Sequence, residues 1–490
     1  MIRLSNQTLE ELPAGIERPD YDRATLRPGI VHIGVGNFHR AHQAWYLHRL
    51  MQMGQAQEWA IVGAGVRAYD DDMRQRLSGQ DYLTTLIELG PEDTTAEVVG
   101  SIIDYVPVKV GNGALIAQIA MPDIRIVSLT VTEGGYYIDP ATGAFDTTHP
   151  DIAHDIQFPE QPRTAFGAII AALKRRCNTG TGPLSVLSCD NLQGNGTVLR
   201  QTIISLAQLT DPELADWIDE TCSFPNSMVD CIVPATGDAE RDLVRTFGIA
   251  DTAPVTHENF RQWVIEDKFC RGRPDWDRVG ATFSEDVRVY ETQKIRLLNA
   301  GHQLVANAAE LLGLETVAEA MSHDTLRSFF RRVAQTEIAP FVKPVPGMTP
   351  STYIDLIEGR FSNPSVKDTI RRIAFDGSAR HPGFILPTIK EARAIGTQID
   401  GLALAEAAWS RMCLGHREDG SVIAPNDPIW ERLRATARTA EKTPRVWLEM
   451  SDIYGDLVEW RKFTAAFEEA HHTIRNNGIV AALNAYLEGS

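Results

Sequence analysis

The apolar run Gly29-Ile30-Val31-His32-Ile33 is short enough for one buried strand. It enters Gly34-Val35-Gly36-Asn37-Phe38-His39-Arg40 directly, and a helical pattern follows from Ala41 to Met51. Few folds accommodate a strand that turns on Gly-x-Gly into a helix. The first glycine permits the tight turn and the second allows another group close to the backbone, while N–H groups at the helix start point outward to receive an anion. A second apolar run, Trp59 to Gly63, comes at a distance suited to a βαβ unit. The expectation is an α/β fold with a parallel sheet.

The match to G-x-G-x-x-G is partial, because His39 stands at the third glycine position. Beyond the second strand lies Arg67-Ala68-Tyr69-Asp70. An acid after that strand can bind the ribose hydroxyls of a dinucleotide and repel a 2′-phosphate, which favours NAD. Asp70 lies further along than the usual position, and Arg67 could receive the phosphate of NADP instead. Either residue is also an ordinary surface-loop charge.

Further β-rich patterns cover 81–89 and 96–108, and helical ones 114–120, 165–176, 198–209 and 212–221. Two more central-strand runs, Ile124 to Thr132 and Leu184 to Ser188, end in Glu133-Gly134-Gly135-Tyr136 and Cys189-Asp190-Asn191. Ligands collect outside the carboxyl ends of such strands, so Glu133 and Asn191 become candidates. Asn191 is either a plain turn residue or a neutral donor to an oxygen that gains charge. Asp230 closes the apolar stretch Phe224 to Asp230, where it can pair locally or hold a hydroxyl. The stretch from Gln262 to Phe269 is mixed in pattern. We place a domain boundary near Ser284, giving domains 1–284 and 285–490. The second is predominantly helical, with breaks expected at Pro340, Pro344 to Gly347, Pro364 and Pro382.

A chain of 490 residues is too long for one ordinary core. Its net charge of −18 disfavours nucleic acid or an anionic membrane as the main partner. No apolar run approaches the ~20 residues of a membrane helix, and no secretory signal is visible, so a cytoplasmic location is expected. The six cysteines are scattered, without zinc-ligand spacing.

The stretch from Tyr290 to His302 reads as the start of a long helix that runs on to about Leu311. On a regular wheel of about 100° per residue, Glu291, His302 and Asn299 stand about 60°, 80° and 140° from Lys294. A polar arc of this kind is commonly just a solvated face. Here Ile295, Leu297, Leu298 and Ala300 leave little room for a fully wet helix, and burial lowers a lysine pKa toward the range useful for taking an alcohol proton. Gly301, which costs about 1 kcal/mol against alanine, is expected to have a packing or ligand reason.

Taken together these blocks resemble the mannitol 2-dehydrogenase family, the polyol-specific long-chain dehydrogenases and reductases. The resemblance is carried by Gly34 to Gln43, Thr132 to Tyr136, Cys189 to Asn191, Phe224 to Asp230, Lys294-x4-Asn299-x2-His302 and Asp376-Gly377-Ser378. It implies a Rossmann-type N-terminal domain with additional strands, a mostly α-helical C-terminal domain, and an active site in the cleft between them. It also implies metal-independent, NAD(P)-dependent interconversion of a polyol and a ketose, by an enzyme that is commonly a monomer.

Carried over by position, Lys294 is the general acid/base, and Asn191 and Asn299 hold the reacting oxygen. Glu291 relays protons, His302 orients substrate, and Asp230 and Arg372 grip its other hydroxyls. Gly34, Gly36, Asn37, Phe38, Arg40, Asp70 and Glu133 serve the cofactor, with NAD favoured and NADP possible, and no metal is implied. D-mannitol and D-fructose are the substrates expected. D-arabinitol, D-sorbitol and the hexuronates fructuronate and tagaturonate are alternatives, the last two needing a cation such as Arg372, Arg380 or Lys343.

Three other readings are weaker. Tyr290-x3-Lys294 has the spacing of the short-chain dehydrogenases but lies roughly 250 residues beyond the glycine turn, too far for that family. A zinc alcohol dehydrogenase lacks its ligand set, and His39 and His42 read as loop packing. A catalytically dead nucleotide- or sugar-sensing protein would have lost the lysine or both amides, and all three are present.

Overall fold

The computed structural model describes residues 1–138 and 144–489, and the chain divides into two compact units, Met1–Arg288 and Val289–Ser490. In the first unit, five strands form one parallel sheet: β1 (Pro28–Ile33), β2 (Ala60–Ala64), β3 (Ile102–Tyr105), β4 (Ile126–Leu129) and β5 (Ser185–Ser188). Their spatial order is β3-β2-β1-β4-β5, the order of a Rossmann sheet.

These runs are apolar without alternation because both faces are covered. Val31, Ile33, Val127 and Val186 pack into one cluster with helices Ala165–Thr179 and Asn195–Thr210. Their chain neighbours Ile30, Ile126 and Leu187 enter another cluster with α2 (Gln43–Gln52). Strand order reverses between β1 and β4, so the crevice for a ligand opens beyond their carboxyl ends.

Additional strands surround this sheet. Thr84–Leu89 pairs with Thr94–Val99 and Val255–Glu258, and Ile2–Arg3 pairs with Ile249–Ala250. The stretch read as mixed contains a strand, β7 (Gln262–Glu266), antiparallel to β6 (Ser227–Asp230). Trp263, Val264 and Ile265 are fully buried there, so the period-2 pattern that marks a half-exposed strand is missing.

The second unit is helical. Its central element continues from Val287–Gln293 through a π-helical stretch, Lys294–Asn299, into Ala300–Leu311. Ala300–Leu311 packs against Asp400–Met412, which also packs against Arg461–Asn477. Pro382 does not break its helix as expected. It sits in a second π-helical stretch, His381–Ile385, between Gly377–Arg380 and Leu386–Ile395, where the widened turn accommodates the missing N–H. Among the described residues no helix is long and apolar enough to cross a membrane.

Candidate active site

In the sheet unit the turn after β1 is built for close backbone approach. Gly34 has φ +96°, and a Cβ there would meet the Thr130 carbonyl oxygen of the β4 end at 2.2 Å. Gly36 is different: φ is −89°, and the nearest atom to an added Cβ is 3.9 Å away. The space above Gly36 is therefore a cradle that a side chain would fill. It opens beside the first-turn N–H groups of α1 (Asn37–Ala41), which have no partner one turn back, and this arrangement fits a dinucleotide pyrophosphate.

The side chains around the turn brace it. Asn37 donates to the Pro234 carbonyl at 3.0 Å and to Thr236 Oγ1 at 2.9 Å, and its Oδ1 accepts from Arg40 at 2.7 Å. Arg40, buried, also donates to the Gly36 and Ala253 carbonyls, and burial lowers its pKa to about 10. The Asn37 side chain is thereby engaged with the protein itself, and Arg40 holds the loop. Phe38 stacks on His42, and buried His39 stacks on His32 with ring centroids 3.3 Å apart. His39 therefore fills the third fingerprint position as packing.

Asp70 looked too far along the chain, but the loop folds back: its Oδ2 accepts from the N–H groups of Val66 and Arg67, both at 2.9 Å. Its carboxylate thereby lies against Gly65, immediately after β2. Arg67 instead donates to Tyr137 Oη at 2.9 Å and pairs with Asp151 at 2.8 Å, so its charge is already met within the protein.

At the ends of β4 and β5, buried Asp190 accepts from the N–H groups of Val131 (3.1 Å) and Thr132 (2.8 Å) and from the Tyr136 hydroxyl (2.8 Å). Asn195 ties β5 to β6, donating to the Ser188, Asp190 and Ser227 carbonyls and accepting from the Ser227 N–H. Between these anchors Asn191 is exposed, and Asp230 is buried at the end of β6. Glu133 starts a short 3₁₀ turn, Glu133–Tyr136, and its side chain lies outside the described residues. Sequence reasoning passed over the supports Asp190 and Asn195, although both flank Asn191, at one of the two strand ends already singled out.

In the helical unit, Lys294 and Glu291 are 7% and 3% exposed and three residues apart on one helix. The π-helical stretch alters the expected wheel. The Ala300 N–H bonds back five residues to Ile295, so positions five apart fall nearly in line, and Lys294 and Asn299 share a face more closely than regular α geometry allows. Gly301 has a packing reason: a Cβ there would meet the Phe330 ring at 2.8 Å.

The His302 ring is stacked 4.4 Å from Phe361, with Nε2 3.9 Å from Asp368 Oδ2. Burial lowers its pKa to about 3, so it is neutral at working pH and can either donate or accept a hydrogen bond. Arg372 lies in the same cluster, its Nε and Nη2 each donating to Asp368 at 2.6 Å. Arg380 donates to the Arg372 and Ile373 carbonyls. Tyr290, the base of the short-chain reading, is buried, and desolvation pushes its phenol up, away from the phenolate that role requires.

Comparison with known proteins agrees over both units. Residues 28–278 match the mannitol dehydrogenase Rossmann domain and residues 286–475 the mannitol dehydrogenase C-terminal domain. The chain belongs to the mannitol dehydrogenase family.

It is 50% identical over 472 residues to the mannitol 2-dehydrogenase of Cereibacter sphaeroides, covering 96% of this chain and 99% of that one. The mannitol 2-dehydrogenase of Phaeosphaeria nodorum is 39% identical, covering 99% and 86%. Among solved structures, the Pseudomonas fluorescens mannitol 2-dehydrogenase ternary complex with NAD and D-mannitol superposes with a TM-score of 0.88 at 40% identity, covering both chains fully. A substrate-free D-sorbitol dehydrogenase gives 0.91 at 34% identity, covering 98% of this chain and 100% of that one. As a member of this family the chain is an NAD(P)-dependent oxidoreductase acting on CH–OH groups.

Proposed function

We propose that the enzyme interconverts D-mannitol and D-fructose with NAD, using Lys294 as general acid/base. The observation that carries this reading is a buried lysine, beside buried Glu291, on a π-helical turn that aligns it with Asn299. The relatives named mannitol 2-dehydrogenase support the substrate pair.

The glycine turn at Gly34 and Gly36 and the N–H groups of α1 would hold the dinucleotide, which supplies the hydride acceptor when bound. Asp70 keeps a carboxylate at the end of β2 and Arg67 is engaged by Asp151, which favours NAD over its 2′-phosphorylated form. A C–H bond gives up hydride only as its oxygen loses a proton, so base and oxyanion donors must serve one atom. Lys294 takes the hydroxyl proton during oxidation and returns it during reduction, with Glu291 passing protons to and from the amine. The amides of Asn191 and Asn299 donate to the oxygen as its charge grows. Neutral His302 orients the substrate, and Asp230 and Arg372 hold its other hydroxyls.

This scheme assigns the oxygen's charge to amides and not to a metal. Among the described residues no group of three or more His, Cys, Asp or Glu side chains converges to hold a metal ion. The enzyme is proposed to work as a cytoplasmic monomer, which light scattering of the eluted protein checks.

The deciding experiment is a panel of hexitols, pentitols, ketoses and hexuronates with NAD and NADP, with and without chelator, read at the reduced-nicotinamide absorbance. Highest kcat/KM for D-mannitol and D-fructose with NAD, unaffected by chelator, is expected. A preference for D-sorbitol or a hexuronate overturns the substrate assignment. Loss on chelation restored by zinc overturns the amide assignment.

A further inference from the structure

A carboxylate substrate needs an available cation near its terminal carbon, and Arg372 is the arginine that already serves the substrate in the reading above. Its guanidinium is committed sideways: Nε and Nη2 each donate to Asp368 at 2.6 Å, a two-pronged pairing on one edge. Asp368 is 4% exposed at its side chain, whereas Arg372 is 56% exposed, so the acid is the fixed member of the pair. Its backbone is pinned as well. The Asp368 carbonyl accepts from the Val317 N–H at 2.9 Å, and its N–H donates to the Val366 carbonyl at 2.8 Å. Thr369 caps the short helix Ile370–Ile373 that carries Arg372. The same carboxylate stands 3.9 Å from His302 Nε2.

We propose that Asp368 is a specificity-determining residue that selects neutral polyols and ketoses over hexuronates by neutralising Arg372 and presenting its own negative charge beside His302. A substrate hydroxyl needs one donor and tolerates the pair. A substrate carboxylate finds the guanidinium edge taken and a like charge within a few ångströms, and such a neighbour is worth one to three pK units, or about 10- to 1,000-fold in equilibrium. This inference rests on the proposed polyol and ketose reading, and on Arg372 serving the substrate.

The test compares kcat/KM for D-fructose and D-fructuronate, with NADH, in the wild-type enzyme and in Asp368→Asn. The fructose-to-fructuronate ratio should fall by about 30-fold in Asp368→Asn, through a gain on fructuronate. It should stay near the wild-type value in Asp368→Glu, and Asp368→Asn combined with Arg372→Gln should cancel the gain. A merely structural Asp368 would lower both substrates together and leave the ratio unchanged, and that result overturns the proposal.

A second measurement needs neither turnover nor a variant. Calorimetry on the wild-type protein loaded with NAD should show D-mannitol binding at least about tenfold more tightly than D-mannonate, which differs by the carboxylate. Equal affinities, or binding of neither ligand, overturn the proposal. Absence of ketose reduction alongside that discrimination would overturn the proposed reaction and leave the charge selection standing.

Discussion

The two units use their polar side chains in opposite ways. In the sheet unit the conspicuous polar residues, Asn37, Arg40, Asp70, Asp190 and Asn195, direct their hydrogen bonds to the protein's own backbone and loops. Beside the proposed substrate contacts Asn191 and Asp230, they leave a line of N–H groups and a glycine without a side chain. In the helical unit the backbone is consumed by helices, and the groups proposed above for the chemistry are the side chains of Lys294, Glu291, Asn299, His302 and Arg372. Binding a diphosphate asks for a rigid set of dipoles that never changes protonation. Moving a proton asks for a buried group that does. A parallel sheet offers the first at its strand ends, and a helix offers the second along one face.

Substitutions can break this contrast. The largest effect is expected for Lys294→Ala, which should lower kcat/KM by about 10³- to 10⁴-fold while Tyr290→Phe stays near the parent value. A tyrosine variant as damaged as the lysine variant would move the proton-transfer role to Tyr290. Next come Asn191→Ala and Asn299→Ala, each expected to lose about 10²- to 10³-fold in kcat, on the order of 3 kcal/mol of transition-state stabilisation. An Asn191→Ala enzyme with unchanged kcat would remove Asn191 from the proposed oxyanion donors.

The glycine pair sharpens the sheet side. Gly34→Ala forces a Cβ to 2.2 Å from the Thr130 oxygen at φ +96° and should cost roughly 3 kcal/mol of stability, read by denaturant unfolding. Gly36→Ala meets nothing closer than 3.9 Å and should leave stability within about 0.5 kcal/mol while weakening NAD binding about tenfold or more. Unchanged NAD affinity in Gly36→Ala would count against the cradle.

An effect spread over several residues, and absent near neutral pH, is acid sensitivity. Burial lowers the pKa of His32, His257 and His302 to about 3 and of His471 to about 4, and puts His39 well below its ordinary value. The unfolded chain therefore binds protons first, from pH ~6.5 downward. Stability should fall as pH drops from there toward 3, by up to about 1.4 kcal/mol per pH unit for each histidine. Three of the five lie in the sheet unit, so its signals should be lost first on acidification. The reverse order, followed by exchange or near-ultraviolet circular dichroism, would place the critical histidines in the helical unit.

Much of the architecture was legible because burial on both faces writes itself as unbroken apolar runs, as in Ile30 to Ile33 and Ile126 to Leu129. Gln262–Glu266 was not legible, since Trp263, Val264 and Ile265 are all buried and the run shows no period-2 pattern. Pro382 misled for a related reason: proline breaks a regular α-helix, but a π turn absorbs it. Near the candidate site, the spacing of Lys294, Asn299 and His302 stood out, whereas the widened turn that aligns the first two did not. Gly301 was recognisably special, but only Phe330 explains it. Asp368 carried no mark at all, being one acid among many until Arg372 and His302 close around it.

By itself the sequence determined the Rossmann strand and glycine turn, the helical second half and the identity of the ionisable groups, because these follow from local pattern and from steric limits on single residues. Tertiary structure decided which polar groups brace the loops, how far Asp70 reaches, and which acid pairs with which arginine. Those outcomes depend on partners distant in the chain and on desolvation, and neither is encoded in the spacing of neighbouring residues.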